Sequence, residues 1–328
     1  MARLVTVFGG SGFVGRYIAQ RLAAEGWRVR VAVRRPNEAL FVRTYGAVGQ
    51  VEPMLCNIRE PASVADALQG ADAAVNCVGI LNEVGRNTFG LVQHHGARHV
   101  AEEAAKAGVG RLVHVSAIGA DPDGKSAYAQ TKGQGEQAVL ASFPEAVILR
   151  PSVIFGPEDQ FFNRFASMAR FAPVLPVTGG NTLFQPVYVD DVAQAAVLGV
   201  TGKAAPGIYE LGGPEVRRFA DLMEEMLEVI GRPNRIVLNL PLFASAAMGT
   251  AFDLLQRLSL GLFTNSILTR DQVTNLALDN VVAEGMPGFA ELGIAPVSME
   301  SVLPEYLWRY RTSGQFHGSR EATGGMRR

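Results

Sequence analysis

Two sets of residues in this chain have types and spacings that can do chemistry. The first is Gly9-Gly10-Ser11-Gly12-Phe13-Val14-Gly15, set between a short apolar run, Leu4 to Phe8, and a helical pattern. Gly9 permits a tight turn out of a strand, Gly12 lets the backbone approach a pyrophosphate, and Gly15 lets the next helix pack close to the strand. A helix starting there presents free N–H groups and its positive dipole end to phosphates. The second strand ends in Arg34 and Arg35, where a site selective for NAD places an acid against the ribose 2′-hydroxyl. Two guanidinium forks suit a 2′-phosphate instead, which favours NADP over NAD.

The second set is Ser116, at the end of an apolar run from Leu112, followed by Tyr128 and Lys132. Four residues apart on a helix, Tyr128 and Lys132 share a face. A neighbouring ammonium is expected to lower the phenol pKa, so that Ser116 holds a substrate carbonyl while Tyr128 passes the proton. The alternative stays open: the same pair can hold ribose hydroxyls with no turnover. His94, His95 and His99 lack the further ligands a metal site requires, so no metal is expected. Cys77 reads as a packing residue in an apolar strand. Asp190 and Asp191 are expected to cap a helix from Val192 to Val200.

These residues need a frame. The pattern predicts strands at Leu4 to Phe8, Arg28 to Val33, Ala73 to Val78, Leu112 to Val115 and Ala146 to Leu149. Helices are predicted at Arg16 to Glu25, Ala62 to Leu68 and Ala97 to Ala107, with Gly26 ending the first. Strands alternating with helices imply an α/β fold, a doubly wound parallel Rossmann sheet with helices on both faces and a smaller C-terminal α/β region. The expected division is 1–155 with 183–212 for the dinucleotide-binding domain and 156–182 with 213–311 for the C-terminal region. A tail, 312–328, rich in Gly, Ser and Arg, is expected to be mobile.

Composition narrows the partners. The chain has 328 residues, 48% hydrophobic and 19% charged, enough for a large core and too apolar for wholesale disorder. Thirty Lys and Arg against 31 Asp and Glu leave a net charge of -1, so nucleic acid is a poor partner. Two cysteines, Cys56 and Cys77, make neither a disulfide scaffold nor a four-ligand zinc site and point to a reducing compartment. A strand is read from Leu4 onward, so neither a signal peptide nor a presequence is expected. The uncharged run between Arg235 and Asp253 contains Pro241 and falls short of a membrane span.

The Gly9 to Gly15 turn, Ser116, the Tyr128/Lys132 pair and Arg150-Pro151-Ser152-Val153-Ile154-Phe155-Gly156-Pro157 resemble the extended or atypical short-chain dehydrogenase/reductases. A narrower likeness runs through Phe143-Pro144-Glu145-Ala146, Phe165-Ala166-Ser167-Met168, Gln185-Pro186-Val187-Tyr188-Val189 and Leu268-Thr269-Arg270-Asp271-Gln272-Val273. It continues through Gly288-Phe289 and Glu291-Leu292-Gly293-Ile294. This set is similar to the nucleotide-binding accessory subunit of respiratory complex I, NADH:quinone oxidoreductase.

That resemblance implies a tightly held NADPH, no independent catalysis, and partners in the quinone module and membrane arm. The place it implies is peripheral, on the cytoplasmic face of a bacterial inner membrane. It adds Asn57, Ile58, Val78, Pro151, Ser152 and Ile154 to the expected cofactor-binding residues. Asn57 stands where many relatives have Asp near the adenine, and its amide carbonyl can serve the same contact. A free-standing NADP-dependent reductase or epimerase is the alternative. Residues 241–263 are expected to meet lipid or membrane subunits. Leu242, Phe243, Met248, Ala251, Phe252, Leu255, Leu258 and Leu262 recur at helical spacing there, with Ser245, Asp253 and Arg257 off the stripe and Phe263 beyond it.

Overall fold

The structure, a computed structural model, describes residues 3–258, 269–312 and 314, with the side chains of 252–258 outside that description. The first strand, β1 (Leu4–Phe8), turns through the glycine string into α1 (Phe13–Ala24), which leads to β2 (Arg28–Val33). There follow β3 (Val51–Leu55), α2 (Pro61–Leu68), β4 (Ala73–Asn76), α3 (His95–Lys106), β5 (Arg111–Val115) and α4 (Ala127–Ser142). Then come β6 (Val147–Pro151), β7 (Ile154–Phe155), α5 (Phe162–Phe171), β8 (Val174–Thr178), β9 (Leu183–Phe184) and β10 (Val187–Tyr188). The chain continues with α6 (Val189–Thr201), β11 (Gly207–Leu211), β12 (Arg217–Arg218), α7 (Phe219–Val229) and β13 (Ile236–Leu240). It ends with α8 (Leu242–Leu258), α9 (Arg270–Asn275) and α10 (Met299–Leu307).

Seven strands form one parallel sheet in the order β11-β6-β5-β4-β1-β2-β3. The chain leaves β1 toward β2 and β3, then returns to lay β4 on the other side of β1. That reversal opens a crevice at the carboxyl ends of β1 and β4, the place where such sheets bind ligands.

Alternation along β1 divides the core. Val5 and Val7 join a cluster with Ile18 and Leu22 of α1 and Val192 and Ala196 of α6. Phe8 points the other way, among Val64 and Leu68 of α2 and Val100 and Ala104 of α3. Thr6 is the polar residue of this strand, fully buried, and its hydroxyl donates to the Ala67 carbonyl at 2.7 Å. A third cluster, away from the sheet, joins Phe162 and Ala166 of α5, Leu175 and Val177 of β8, Leu222 and Met226 of α7 and Leu303 of α10.

Two departures from the sequence reading concern charge. The helix α6 begins at Val189, not Val192, with Tyr188 as its N-cap, so Asp190 and Asp191 lie inside its first turn rather than capping it. Tertiary partners took them instead. Asp190 receives both nitrogens of the Arg21 fork from α1, and Asp191 accepts the Val297 N–H at 2.8 Å. The expected tail lies outside the described residues beyond 314.

A buried ion-pair group ties β6 to its neighbours. Arg150 donates to Glu136 of α4 at 2.6 Å and to Glu210 of β11 at 3.4 Å, and Glu210 also accepts the Ala283 N–H at 2.9 Å. Removing the cation strands two buried carboxylates. Arg150→Met should lower unfolding free energy by about 3–5 kcal/mol in urea titrations. Adding Glu136→Gln and Glu210→Gln to that variant should recover part of the loss.

Candidate functional site

The β1–α1 turn is built by missing side chains. Gly9 sits at φ +77°, where a Cβ is strained, and Gly12 N–H closes the turn on the Gly9 carbonyl at 2.9 Å. A Cβ on Gly15 would stand 2.3 Å from that same carbonyl oxygen, so α1 presses on the strand end only because residue 15 is glycine. A Cβ on Gly10 would meet Val31 at 3.0 Å. Gly12 differs: its φ of -73° suits any residue, and a Cβ there meets only the Gly9 carbonyl, at 3.1 Å. Its openness faces the crevice. Val14 packs on the core beneath the turn, and Phe13 meets Tyr17 edge-on at 6.3 Å.

The crevice is a groove of about 570 Å³. Gly9, Ser11 and Gly12 line its middle; Arg34, Arg35 and Glu38 lie at the end of β2; Asn57, Ile58 and Arg59 follow β3; Cys77, Val78 and Gly79 follow β4. The sheet thus brings together eight residues expected from the sequence: Gly9, Ser11, Gly12, Arg34, Arg35, Asn57, Ile58 and Val78. Arg34 donates to Asn87 Oδ1 at 3.0 Å, and Arg35 pairs with Glu38 at 3.1 Å on the exposed rim. Arg59 is a third guanidinium in the lining, and it donates to the Arg86 carbonyl at 2.9 Å. Three guanidinium groups against one carboxylate favour a ligand rich in phosphate. Sequence reasoning missed Arg59 and Asn87, because each lies far along the chain from the arginines of β2.

Asn57 is already engaged. Its carbonyl accepts the Arg59 backbone N–H at 3.3 Å and the guanidinium at 3.2 Å, and its amide donates to Glu60 at 2.6 Å. An adenine contact through that carbonyl would therefore compete with Arg59. Pro151, Ser152 and Ile154 lie at the far side of the sheet and do not line the groove. Ser152 donates instead to Asn280, at 2.7 Å to the side chain and 2.9 Å to the carbonyl, anchoring the C-terminal segment.

Ser116, Tyr128 and Lys132 do not line the groove either, and Lys132 approaches it at Gly79. Lys132 Nζ lies 3.6 Å from where a Cβ on Gly79 would sit, and it donates to the Val115 carbonyl at 3.2 Å. Burial pushes this amine down to about 8. The expected lowering of the Tyr128 pKa is reversed: burial desolvates the phenolate and pushes the phenol up to about 12. The Ser116 hydroxyl is buried and, among the described residues, has no hydrogen-bond partner. A buried orphan hydroxyl at a strand end is a place for a ligand's polar atom. Beneath it, His114 Nδ1 accepts from the Asn76 amide at 3.2 Å, and burial lowers that imidazole to about 3, which keeps it neutral.

Two other sets of residues singled out from the sequence have these surroundings. The His99 ring bonds the Ile58 carbonyl at 2.9 Å, and His94 and His95 stack at 4.6 Å. Burial raises the Cys77 thiol to about 12, so it stays protonated. The approach to Tyr128 is held by α9, which the sequence had not assigned a role. Asp271 accepts the Ala127 and Tyr128 N–H groups at 2.7 and 3.3 Å, Asn275 accepts from Ser126, and Gln272 donates to Asn82 at 2.8 Å. The available signal was the Thr269-x-x-Gln272 capping box at the start of that helix.

A parallel sheet with its switch point over a glycine turn, a phosphate-suited groove and a Ser/Tyr/Lys group define a nucleotide-binding Rossmann protein of the extended short-chain dehydrogenase/reductase type. The chain belongs to the NAD dependent epimerase/dehydratase family, whose sequence pattern matches residues 5–212. It is 34% identical over 322 residues to NADH dehydrogenase (ubiquinone) 1 alpha subcomplex subunit 9, mitochondrial, of Arabidopsis thaliana, covering 96% of this chain and 80% of that one. It is 32% identical over 238 residues to the ceramide reductase of Caulobacter vibrioides, covering 71% of this chain and 73% of that one. Its fold matches dTDP-glucose 4,6-dehydratase from Bacillus anthracis in complex with NAD, with a TM-score of 0.71 over 94% of this chain and 96% of that one at 15% identity. A nicotinamide nucleotide is the cofactor class of this family.

The Lys132 pKa gives a signed pH test. The amine falls from 10.5 to about 8 on folding, so folding favours its neutral form. Its contribution is therefore intact above pH 10.5 and lost as pH falls through 8. In nucleotide-free protein, Lys132→Met should stabilise by up to about 3 kcal/mol at pH 7, at about 1.4 kcal/mol per pH unit. Thermal unfolding should show that advantage shrinking between pH 8 and 10.5. An advantage independent of pH would assign it to packing alone.

Proposed function

We propose that this chain is the NADPH-holding accessory subunit of an NADH:quinone oxidoreductase and that the nucleotide is structural. One observation carries the reading: the likeness to the plant complex I subunit covers 96% of the chain, reaching well past the dinucleotide unit. In this reading the Gly9–Gly15 turn and the first-turn N–H groups of α1 hold the pyrophosphate. Arg34 and Arg35 take the 2′-phosphate, Ile58 and Val78 flank the adenosine, and Tyr128 and Lys132 hold the nicotinamide ribose. Residues 1–155 with 183–212 form the nucleotide unit, and 156–182 with 213–311 form the docking unit. The nucleotide supplies hydride chemistry when bound, but this role uses it as a fastener.

The docking face is supported by the first part of α8. Ser245, off the apolar stripe, is fully buried and accepts from Thr178 at 2.9 Å. Gly249 is buried one turn on, where a Cβ would lie 3.0 Å from the Arg270 nitrogen. The inward face is thus small and polar. Phe243 is 79% exposed, and Leu242 and Met248 are exposed with it. The apolar stripe faces outward over 242–251, as a helix meeting membrane subunits or lipid would present it. The side chains of Phe252, Leu255 and Leu258 lie outside the described residues, as do Leu262 and Phe263. Among the described residues no helix is long and apolar enough to cross a membrane. The placement we infer is peripheral, on the cytoplasmic face of a bacterial inner membrane.

The second reading, a free-standing NADP-dependent reductase, is favoured by the Ser116 hydroxyl, which has no hydrogen-bond partner among the described residues and follows the Val115 carbonyl that Lys132 bonds. Pull-down of the tagged full chain from solubilised membranes separates the two. Recovery with quinone reductase activity is expected; a solitary protein that oxidises NADPH with a ketone would overturn the first reading.

Two further outcomes test its parts. Gly12→Val should fold, because that φ suits valine, yet lose extracted nucleotide and with it about 3 kcal/mol of apparent stability if the site is held near 100 times Kd. Arg34→Ala with Arg35→Ala should weaken NADPH retention by roughly tenfold or more while leaving NADH nearly unchanged. Mass spectrometry of the released nucleotide reads both, and recovery of NADH alone from the native protein would reject the NADPH assignment.

A further inference from the structure

The strongest unexplained surface is the outer face of the small sheet formed by β8 and β13. The two strands run parallel in register, with Val174 opposite Ile236 and Pro176 opposite Leu238. Strand alternation sends Leu175 and Val177 into the core beside α5 and α7. It sends Val174, Pro176, Ile236 and Leu238 outward, and all four are exposed, Ile236 by 61%. A solvated face should carry polar residues at these positions; here every one is apolar. Phe171, 81% exposed at the end of α5, continues the patch. Among the described residues β8 and β13 pair only with each other, so both edges are open as well.

The segments that carry the patch are charged by arginine: residues 160–189 and 229–252, which supply α5, β8, β13 and the first part of α8, contain Arg164, Arg170, Arg232 and Arg235 and no Asp, Glu or Lys, with Asp253 the next acid along α8. The chain as a whole is nearly neutral, at -1, so this is segregation and not a general excess. Arg170 is exposed and lies 5.4 Å from the Phe171 ring centre. Arg232 and Arg235 form the turn that enters β13, closed by the Arg235 N–H on the Arg232 carbonyl at 3.1 Å. Acids of this lobe ride on α7 (Asp221, Glu224, Glu225 and Glu228), which packs against the opposite face of the sheet, and on α10 (Glu300 and Glu305), which packs on α7.

We infer that the outer face of β8 and β13 docks on an anionic lipid surface, its aliphatic side chains entering the headgroup boundary and its arginines pairing with lipid phosphates. Apolar side chains framed by cations of one sign are the composition of an interfacial contact. A second copy of this chain is disfavoured, because a two-fold contact through this face would set arginines against arginines. The inference rests on the membrane placement proposed above and shifts its weight from α8 alone to this sheet.

The test is flotation of the full chain, purified with its nucleotide, with vesicles of phosphatidylcholine alone or with about one-third phosphatidylglycerol. Binding should be about tenfold or more stronger to the anionic vesicles and should weaken with added salt. Arg170→Glu with Arg235→Glu should remove that preference, and Ile236→Asp should weaken binding to both. Circular dichroism and retained nucleotide should be unchanged in each variant, since the substituted side chains are at the surface. Equal binding to neutral and anionic vesicles, no binding, or an undiminished preference in the arginine variant would each overturn the inference. If vesicle binding is absent while the native chain still recovers quinone reductase activity and Ile236→Asp does not, the face belongs to a protein contact. The accessory-subunit reading would then survive the loss of this one.

Discussion

The nucleotide groove depends on a contact that one methyl group would prevent. The Gly9 carbonyl oxygen lies where a Cβ on Gly15 would come within 2.3 Å. With glycine there, α1 closes on the end of β1, and its first-turn N–H groups aim into the crevice between β1 and β4. The rest of the groove is built outward from that contact. Arg34 and Arg35 reach it because β2 lies beside β1 in parallel register, and Val78 reaches it because β4 lies on the other side. The same approach brings α1 against α6, where Arg21 clamps Asp190. Nucleotide site and sheet packing are therefore one structure, which is why a bound nucleotide can act as a fastener.

Around Tyr128 and Lys132, burial decides the charge states. Lys132 and Tyr128 share a helix face, as spacing required, yet burial holds the phenol protonated and strains the amine toward neutrality. Among the described residues the Ser116 hydroxyl has no hydrogen-bond partner, and α9 ties the helix carrying Tyr128 to the loop at Asn82. Under the proposed function these features suit a bound ligand, with α9 bracing the helix that carries Tyr128. They fit a retained nucleotide at least as well as repeated turnover, since turnover needs the phenol to give up a proton readily.

The C-terminal half shows why an apolar helix pattern does not tell inside from outside. The stripe on α8 could equally well have been core. Its orientation was decided by Ser245 and Gly249, whose small size lets the helix lie close to Thr178 and Arg270. Packing of a helix can be governed by what permits close approach, and then the larger apolar residues are left outside.

The amino-acid sequence alone determined the strand and helix alternation, the glycine turn and the cationic end of β2. Each is a local pattern: period two or three and a half, a φ only glycine takes easily, a charge at a strand end. Tertiary structure decided what lay between distant segments. It put Arg59 and Asn87 beside Arg34, took Asp190 from the helix cap to Arg21, and gave Ser152 to Asn280. It also turned Val174, Pro176, Ile236 and Leu238 onto one outer face, from two segments some sixty positions apart. Local propensity cannot encode such pairings, because a side chain's partner and its solvent exposure are set by whichever remote element the fold brings within a few ångströms.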